Sequence, residues 1–399
     1  MKIIKLLISD IAPLYPPLWG GQKRIWNLYS NLGNRFDITY VGIDCGLSKK
    51  YIDRKIKDNF SEVIRPITKI YYPFRYFELK ALRNPVFDIF VHIGMIFDGG
   101  FKKELNRHEA NVLIATHPWS SPCFRIKKGQ AFIYDAHNCE NALISQILKG
   151  KWYGAIVSFF VKLIERAACR KATIVIASSK EDKDLFVKLY KIAEEKIVVV
   201  SNGACIQVQP SYEKRKEARL KLRISDDKAV LLFIGTFYEP NIEACNFIVN
   251  EIAPKLPESE IVLLGSVSEY FRGNNVPKNV RLIGKVKDAE LYDWLAASDV
   301  GINPMLTGSG VNVKMLDYFA FGLPVVTTKV GARGIDGVDS EDFIVCEKDK
   351  FADKIKYLLD NQSLRNEIGM NARKLAEEKY NWKNLSSRVE AILDTCLEK

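Results

Sequence analysis

Short apolar runs alternate with longer stretches of helical period through most of the 399-residue chain, and the alternation occurs twice. In the first half, residues 3–8, 38–43, 112–116, 131–135, 173–177 and 196–200 read as strands, with helical patterns over 22–32 and 154–171. A densely charged stretch at 209–227, containing Pro210, has the composition of a linker running into a surface helix. Strands resume at 229–234, 260–264, 280–283, 300–303 and 324–326, separated by helical patterns such as 289–297. Two such halves predict an α/β protein of two doubly wound domains facing each other across a cleft, over 1–208 and 209–382. The amphipathic segment at about 383–399 is expected to pack back onto the first domain. Between 49 and 128 the pattern weakens. The aromatic run at 71–77, interrupted by Arg75, reads as core in preference to an acceptor groove or a membrane-interface segment.

Residues 307–328, TGSGVNVKMLDYFAFGLPVVTT, are the most informative stretch. Gly308 and Gly310 flank Ser309 in a loop after a predicted strand, where glycine permits positive φ and lets a ligand approach main-chain N–H groups. The pattern turns helical over 312–321, with Val313, Leu316 and Ala320 on one face, and Gly322 and Pro324 end it. Strand, glycine loop, helix and strand make a βαβ unit whose helix N-terminus presents free N–H groups at the carboxyl edge of a parallel sheet. Lys314 in the first turn has the wrong sign for the helix dipole, a conflict that a bound anion would remove. Asp317 shares its face three residues on. The bland alternative is a solvated pair on a surface helix, at a cost of about 0.3–1 kcal/mol.

Composition narrows the class without choosing a ligand. With 47% hydrophobic and 27% charged residues, the chain is globular rather than disordered or fibrous. Lys+Arg of 59 against Asp+Glu of 48 leaves +11, compatible with anionic substrates, an anionic membrane surface or nucleic acid. Eight cysteines form no CxxC pair, which points to free thiols in a reducing cytoplasm rather than a structural zinc site. The amino-terminal run breaks at Asp10 and Pro13 and lacks a small-residue cleavage site, so it reads as a first strand and not a signal peptide. The most apolar segment, 152–164, is interrupted by Lys162 and falls short of the ~20 residues a spanning helix needs, so any lipid contact is expected to be peripheral.

Other strand ends carry candidate chemistry. Gly20-Gly21 follows the first strand, where backbone can approach a ligand closely or simply make a tight turn. His117 and His137 each fall where a predicted strand hands over to a loop. Imidazole at such an edge can hydrogen-bond a sugar hydroxyl or carry a proton near neutral pH, and a buried, satisfied histidine is the structural alternative.

Gly308-Ser309-Gly310 with Lys314, Asp317 and Gly322-Leu323-Pro324-Val325-Val326 resembles the nucleotide-sugar signature of glycosyltransferase family 4, retaining enzymes of GT-B fold. Gly20-Gly21 is similar to that family's amino-terminal glycine loop, and Asp135-Ala136-His137-Asn138 to its histidine-bearing strand end. Ser201-Asn202-Gly203 matches its pre-linker signature, and Gly235 with Tyr238, Pro240 and Asn241 the start of its donor domain.

The resemblance implies sugar transfer from a UDP- or GDP-sugar to an acceptor hydroxyl with retention, in synthesis of a polysaccharide, glycolipid or glycoconjugate. It places Gly20, Gly21, Gly235, Thr236, Ser309, Gly310, Val311, Asn312, Val313, Lys314 and Asp317 around the donor. The amides of Asn312, Val313 and Lys314 would hold the diphosphate and Asp317 the ribose hydroxyls. His137 and Lys314 are the catalytic candidates, with Arg333 a further phosphate candidate. No cofactor, metal or nucleic acid is implied. A cytoplasmic enzyme, with a saccharide or lipid-linked saccharide acceptor at the inner membrane face, would suit the surface charge. Departures from the family pattern are Ser309 and Asp317 in place of its paired glutamates, and Thr236 and Ile242 where arginine and lysine are usual. These leave a second class open, a silent GT-B-like partner that binds a nucleotide sugar. A nicotinamide-dependent oxidoreductase is disfavoured, because no strand is followed by a full G-x-G-x-x-G loop with an acidic residue about 20 positions on.

Overall fold

A computed structural model describes residues 3–44, 50–76, 89–206, 211–308 and 310–398. The chain divides into two compact units, one of residues up to Ser201 together with those from Lys383 onward, the other Asn202–Trp382. The division therefore falls several residues before the charged stretch that the composition suggested as the linker.

The first unit is built on eight strands, β1 (Ile4–Ser9), β2 (Phe36–Asp44), β3 (Ile52–Lys57), β4 (Phe60–Pro66), β5 (Val112–Ala115), β6 (Ala131–Asp135), β7 (Ile174–Ala177) and β8 (Ile197–Val199). Their spatial order is β3-β4-β2-β1-β5-β6-β7-β8. Every neighbouring pair is parallel except β3 with β4. The sheet grows one way from β1 and the other way from β5, so its topological switch lies between those strands. The β3–β4 hairpin was not legible in the sequence. β3 is an edge strand whose Asp53, Arg54 and Lys55 are exposed, a charged edge that blunts further pairing but hides strand periodicity.

The helix after β1 is Gly20–Tyr29, so Gly20 and Gly21 form its first turn rather than a loop before it. The Gln22 side chain accepts from the Leu18 and Trp19 amides and donates to the Pro13 carbonyl, which starts the helix two residues earlier than the apolar period suggests. The helix is anchored by charge. Arg24 Nη2 lies 2.8 Å from Asp135 Oδ1 at the end of β6, and the Tyr29 hydroxyl donates to Asp135 Oδ2 at 2.8 Å, all three side chains buried. Of the aromatic run at 71–77, Tyr71 is buried and donates to Asp98 Oδ2, but Tyr72 and Tyr76 are exposed; Phe77 lies outside the described residues. The core reading thus holds for one ring and fails for those two, because the segment is short helical turns with a single inward face. The last helix, Trp382–Glu398, joins this unit through Arg35 to Glu390 (2.8 Å) and Asp394 (2.7 Å) and through the Ser386 hydroxyl to the Leu28 carbonyl.

The second unit is built on β9 (Val230–Ile234), β10 (Glu260–Leu264), β11 (Val280–Gly284), β12 (Val300–Asn303), β13 (Val325–Thr327) and β14 (Ile344–Val345). Their order is β11-β10-β9-β12-β13-β14 and all pairs are parallel, with the switch between β9 and β12. Two residues of β14 are too few to show a pattern. The helix Val313–Ala320 ends in a Schellman turn: Gly322, at φ 66°, donates to the Phe319 carbonyl and Leu323 to the Tyr318 carbonyl. In β12, Gly301 leaves space for the Tyr318 ring, which a Cβ there would meet at 2.8 Å. Tyr318 in turn accepts from the Ile234 amide at 3.0 Å and so ties the helix to the end of β9.

Removing one member of the buried ion pair strands the other. Arg24→Met is expected to cost about 3–5 kcal/mol, read as a lowered urea midpoint with unchanged slope, and Tyr29→Phe about 1 kcal/mol.

Candidate active site

In the second unit, chemistry collects at the carboxyl ends of β9 and β12, where the sheet order reverses and helix N-termini converge. β12 passes into the loop at 304–312, with Gly308 at φ 134° and Gly310 at φ 72°, conformations that side-chain-bearing residues rarely adopt. Ser309 lies outside the described residues. The loop is tied on both sides: Thr307 donates to Glu243, and the Asn312 amide group donates to the Val330 carbonyl at 3.1 Å. Val311 packs on Gly334. Asn312 is the N-cap and makes no side-chain cap bond, so the helix begins one residue after the sequence period suggests. The amides of Val313 and Lys314 precede the first hydrogen bonds of the helix, as the opening turn requires.

Lys314 is not the solvated surface lysine of the bland alternative. Its Nζ donates to Asn241 Oδ1 at 2.8 Å, sits 4.1 Å from the centre of the Phe233 ring and lies 3.6 Å from Met305 Sδ. Among the described residues no carboxylate pairs with it. Loss of water around the ammonium pulls its pKa down to about 7, with only the Cys245 thiol acting in the opposite direction. Asn241 is the hinge of this arrangement, because its Nδ2 donates to the Thr236 carbonyl while its oxygen receives Lys314. The sequence marked Asn241 only as part of a helix start; its place six residues past Gly235, at the switch strand's end, was the available signal. Gly235 itself is hemmed by Phe233, Val267 and Asn241, and Thr236 is exposed. Ile242 is buried core, so no side chain at that position reaches a ligand as a cation. Asp317 is half-buried one turn after Lys314, and Arg333 follows β13 in the loop whose Val330 carbonyl holds Asn312.

In the first unit the polar residues gather at the ends of β1, β5 and β6. His117 Nδ1 is 3.1 Å from Glu140 Oε1 and its Nε2 3.5 Å from Asp10 Oδ1. Burial opposes its charge, but Asp10, Glu140 and Glu165 outweigh burial and raise its pKa to about 9. His137 meets His117 edge-on at 4.8 Å between ring centres. Burial, then repulsion from His117, lowers its pKa to about 3, so it is neutral and does not carry a proton near pH 7 as the sequence allowed. Its Nε2 is buried with no hydrogen-bond partner. Gly21 is where it is because a Cβ there would come within 3.0 Å of the His137 ring, while Gly20 faces open space. Glu165 accepts from the Glu140 and Asn141 amides and from the Tyr134 and Tyr190 hydroxyls, fixing the helix that carries Glu140. Asp182-Lys183-Asp184 has the spelling of a metal-binding Asp-x-Asp, but Asp182 accepts from the Ser178 and Ser179 hydroxyls within this unit. The described residues hold no group of three or more His, Cys, Asp or Glu side chains disposed to ligate a metal. Seven described cysteines are unbridged, and Cys45 lies outside the described residues.

Two doubly wound, nearly all-parallel sheets, each with polar residues at its switch point, define a GT-B fold. Solved GT-B proteins superimpose on nearly the whole chain. Sucrose-phosphate synthase from Thermosynechococcus elongatus does so at TM-score 0.75 with 13% identity, covering 98% of both chains. Anabaena HepE, solved in complex with UDP-glucose, does so at TM-score 0.68 with 13% identity, covering 98% of this chain and all of that one. The model of Glycosyltransferase Family 4 matches residues 63–207, and that of Glycosyl transferases group 1 matches 228–361. The chain belongs to glycosyltransferase family 4. Its relatives include an uncharacterized glycosyltransferase of Methanocaldococcus jannaschii, 23% identical over 62% of this chain. The capsular polysaccharide biosynthesis glycosyltransferase CapM of Staphylococcus aureus is 27% identical over 60% of this chain. An Escherichia coli UDP-Gal:alpha-D-GlcNAc-diphosphoundecaprenol alpha-1,3-galactosyltransferase is 23% identical over 61%. The matched stretches cover 64%, 66% and 64% of these relatives, under two thirds of their length.

The two histidines pull stability in opposite directions with pH. His117, raised to about 9, contributes fully below pH 6.5 and loses that contribution as pH rises through 9. His137, lowered to about 3, contributes fully above pH 6.5 and loses it as pH falls toward 3. Imidazole resonances followed by NMR should place the midpoints there, and a shared midpoint near 6.5 would contradict the geometry.

Proposed function

We propose that the protein is a retaining glycosyltransferase that moves a sugar from a UDP- or GDP-sugar to an acceptor hydroxyl in polysaccharide or glycoconjugate synthesis. The observation that carries this reading is the Lys314 ammonium, desolvated and without a counter-ion beside a helix N-terminus at the β9–β12 switch. A half-buried cation in that state is costly unless a ligand supplies the negative charge. A diphosphate satisfies both features at once, its oxygens taking the amides of Asn312, Val313 and Lys314 and its charge the ammonium. Gly235, Thr236, Gly310 and Val311 let the donor lie against backbone, Asp317 takes the ribose hydroxyls, and Arg333 is the reserve phosphate contact. Ser309 stands where a glutamate would meet the donor sugar.

As the glycosidic bond to the diphosphate breaks, negative charge grows on the leaving oxygen, and a preformed cation in a partly desolvated site stabilises that change with little reorganisation. The reaction needs no metal or cofactor on this reading, because helix dipole and Lys314 supply the positive charge. The neutral His137, with Nε2 unfilled and Gly21 beside its ring, is suited to exchange a hydrogen bond with a sugar hydroxyl. The activity named for the Escherichia coli relative supports a lipid-linked saccharide as acceptor class. The described residues include no helix long and apolar enough to cross a membrane.

Lys314→Met should leave the melting temperature unchanged or raised, since it removes a half-buried charge with no counter-ion among the described residues, yet abolish the thermal shift given by UDP or GDP and slow transfer more than about tenfold. Wild-type diphosphate affinity should fall by up to about tenfold per pH unit above pH 7, because binding restores the proton that Lys314 loses there. Calorimetric titration with UDP and GDP across pH checks both. Donor binding without transfer or donor hydrolysis would instead mark a silent nucleotide-sugar-binding partner.

A further inference from the structure

The helix Gly154–Lys171 turns one face inward through Val157, Val161, Glu165 and Ala168. Its other face is apolar and uncovered: Ile156 (56% exposed), Phe159 (58%), Phe160 (53%) and Leu163 (44%) fall at helical spacing, continued by Ala167. Trp152, 81% exposed, stands just before the helix. A soluble surface seldom leaves two phenylalanines, an isoleucine, a leucine and a tryptophan contiguous in water. The exposed charges of this segment are of one sign. Lys149, Lys151 and Arg170 are exposed and Lys162 half-buried, whereas the single acidic residue between 149 and 171 is Glu165, which is buried and engaged by Tyr134 and Tyr190.

We propose that this face docks the first unit onto an anionic lipid surface, with Trp152, Ile156, Phe159, Phe160 and Leu163 entering the headgroup boundary and the surrounding cations meeting lipid phosphates. An in-plane helix needs an apolar face of this kind with a basic rim, and binds through both. The charge pattern also argues against a second copy as the occupant, since a two-fold interface would set the same lysines against each other. At 18 residues with its inner face in the core, the helix lies on a bilayer rather than crossing it. Docking requires nothing of the donor site, and the two are read out separately.

Co-sedimentation of the full chain with phosphatidylglycerol-containing vesicles and with phosphatidylcholine alone tests the assignment. The wild type is expected to pellet with the anionic vesicles only. Phe159→Ser with Phe160→Ser should lower that binding by about tenfold or more, and Lys149→Glu with Lys151→Glu and Lys162→Glu should weaken it most at low salt, the deficit shrinking as salt rises. These positions lie on the outside, so both variants should keep the wild-type melting temperature and its shift with UDP or GDP. The proposal is overturned if the wild type ignores anionic vesicles, if the serine variant binds them equally, or if light scattering shows a dimer that the serine variant dissolves while vesicles capture neither.

Discussion

Parallel strand pairing is the constraint from which the rest follows. When neighbouring strands run the same way, each must leave the sheet at the same edge, and the return path is a helix whose free amides point back at that edge. The two units meet this constraint separately, one reversing its strand order between β1 and β5 and the other between β9 and β12. Polar side chains then concentrate at the strand ends because the sheets' interiors are largely apolar, buried Glu62 in β4 being an exception: Leu231, Leu263, Ile302 and Val326 are buried in one, Leu7, Val41, Leu113 and Val175 in the other.

Each edge also buries charge, and does so differently. In the first unit Arg24 meets Asp135, and Asp10 and Glu140 surround His117, so each cation has its counter-charge in the fold. These groups hold the helix Gly20–Tyr29 and the His137 ring in place. In the second unit, among the described residues, the Lys314 ammonium meets only an amide oxygen, a thioether and an aromatic face. The first arrangement is self-sufficient, whereas the second would be completed by the anion proposed above. That asymmetry is what the proposal of a diphosphate at the β9–β12 edge rests on.

Much of this was legible in the order of the residues. Strands such as Ala131–Asp135, Glu260–Leu264 and Val300–Asn303 were readable to the residue, because a buried parallel strand must be continuously apolar and must stop at a polar or glycine residue. Gly322 and Pro324 marked a helix end by local backbone geometry alone, and glycines at 308 and 310 announced a loop of unusual φ. The β3–β4 hairpin escaped, since an edge strand is held by its neighbour and not by its own pattern.

What a side chain experiences is set by partners far along the chain, and there the sequence was silent. Asp135 and His137 are two residues apart, yet one is ion-paired to Arg24 and the other is stripped of partners at Nε2, a difference made by a helix more than a hundred residues earlier. Lys314 could be placed at a helix N-terminus from spacing, but its lost hydration comes from Phe233, Asn241 and Met305, which only folding brings together. Residue order thus determined which backbone segments face the sheet edge, because hydrogen-bond geometry and hydrophobic period are local. Tertiary structure decided which charges are shielded, paired or left wanting, because dielectric environment is a property of everything packed around a group.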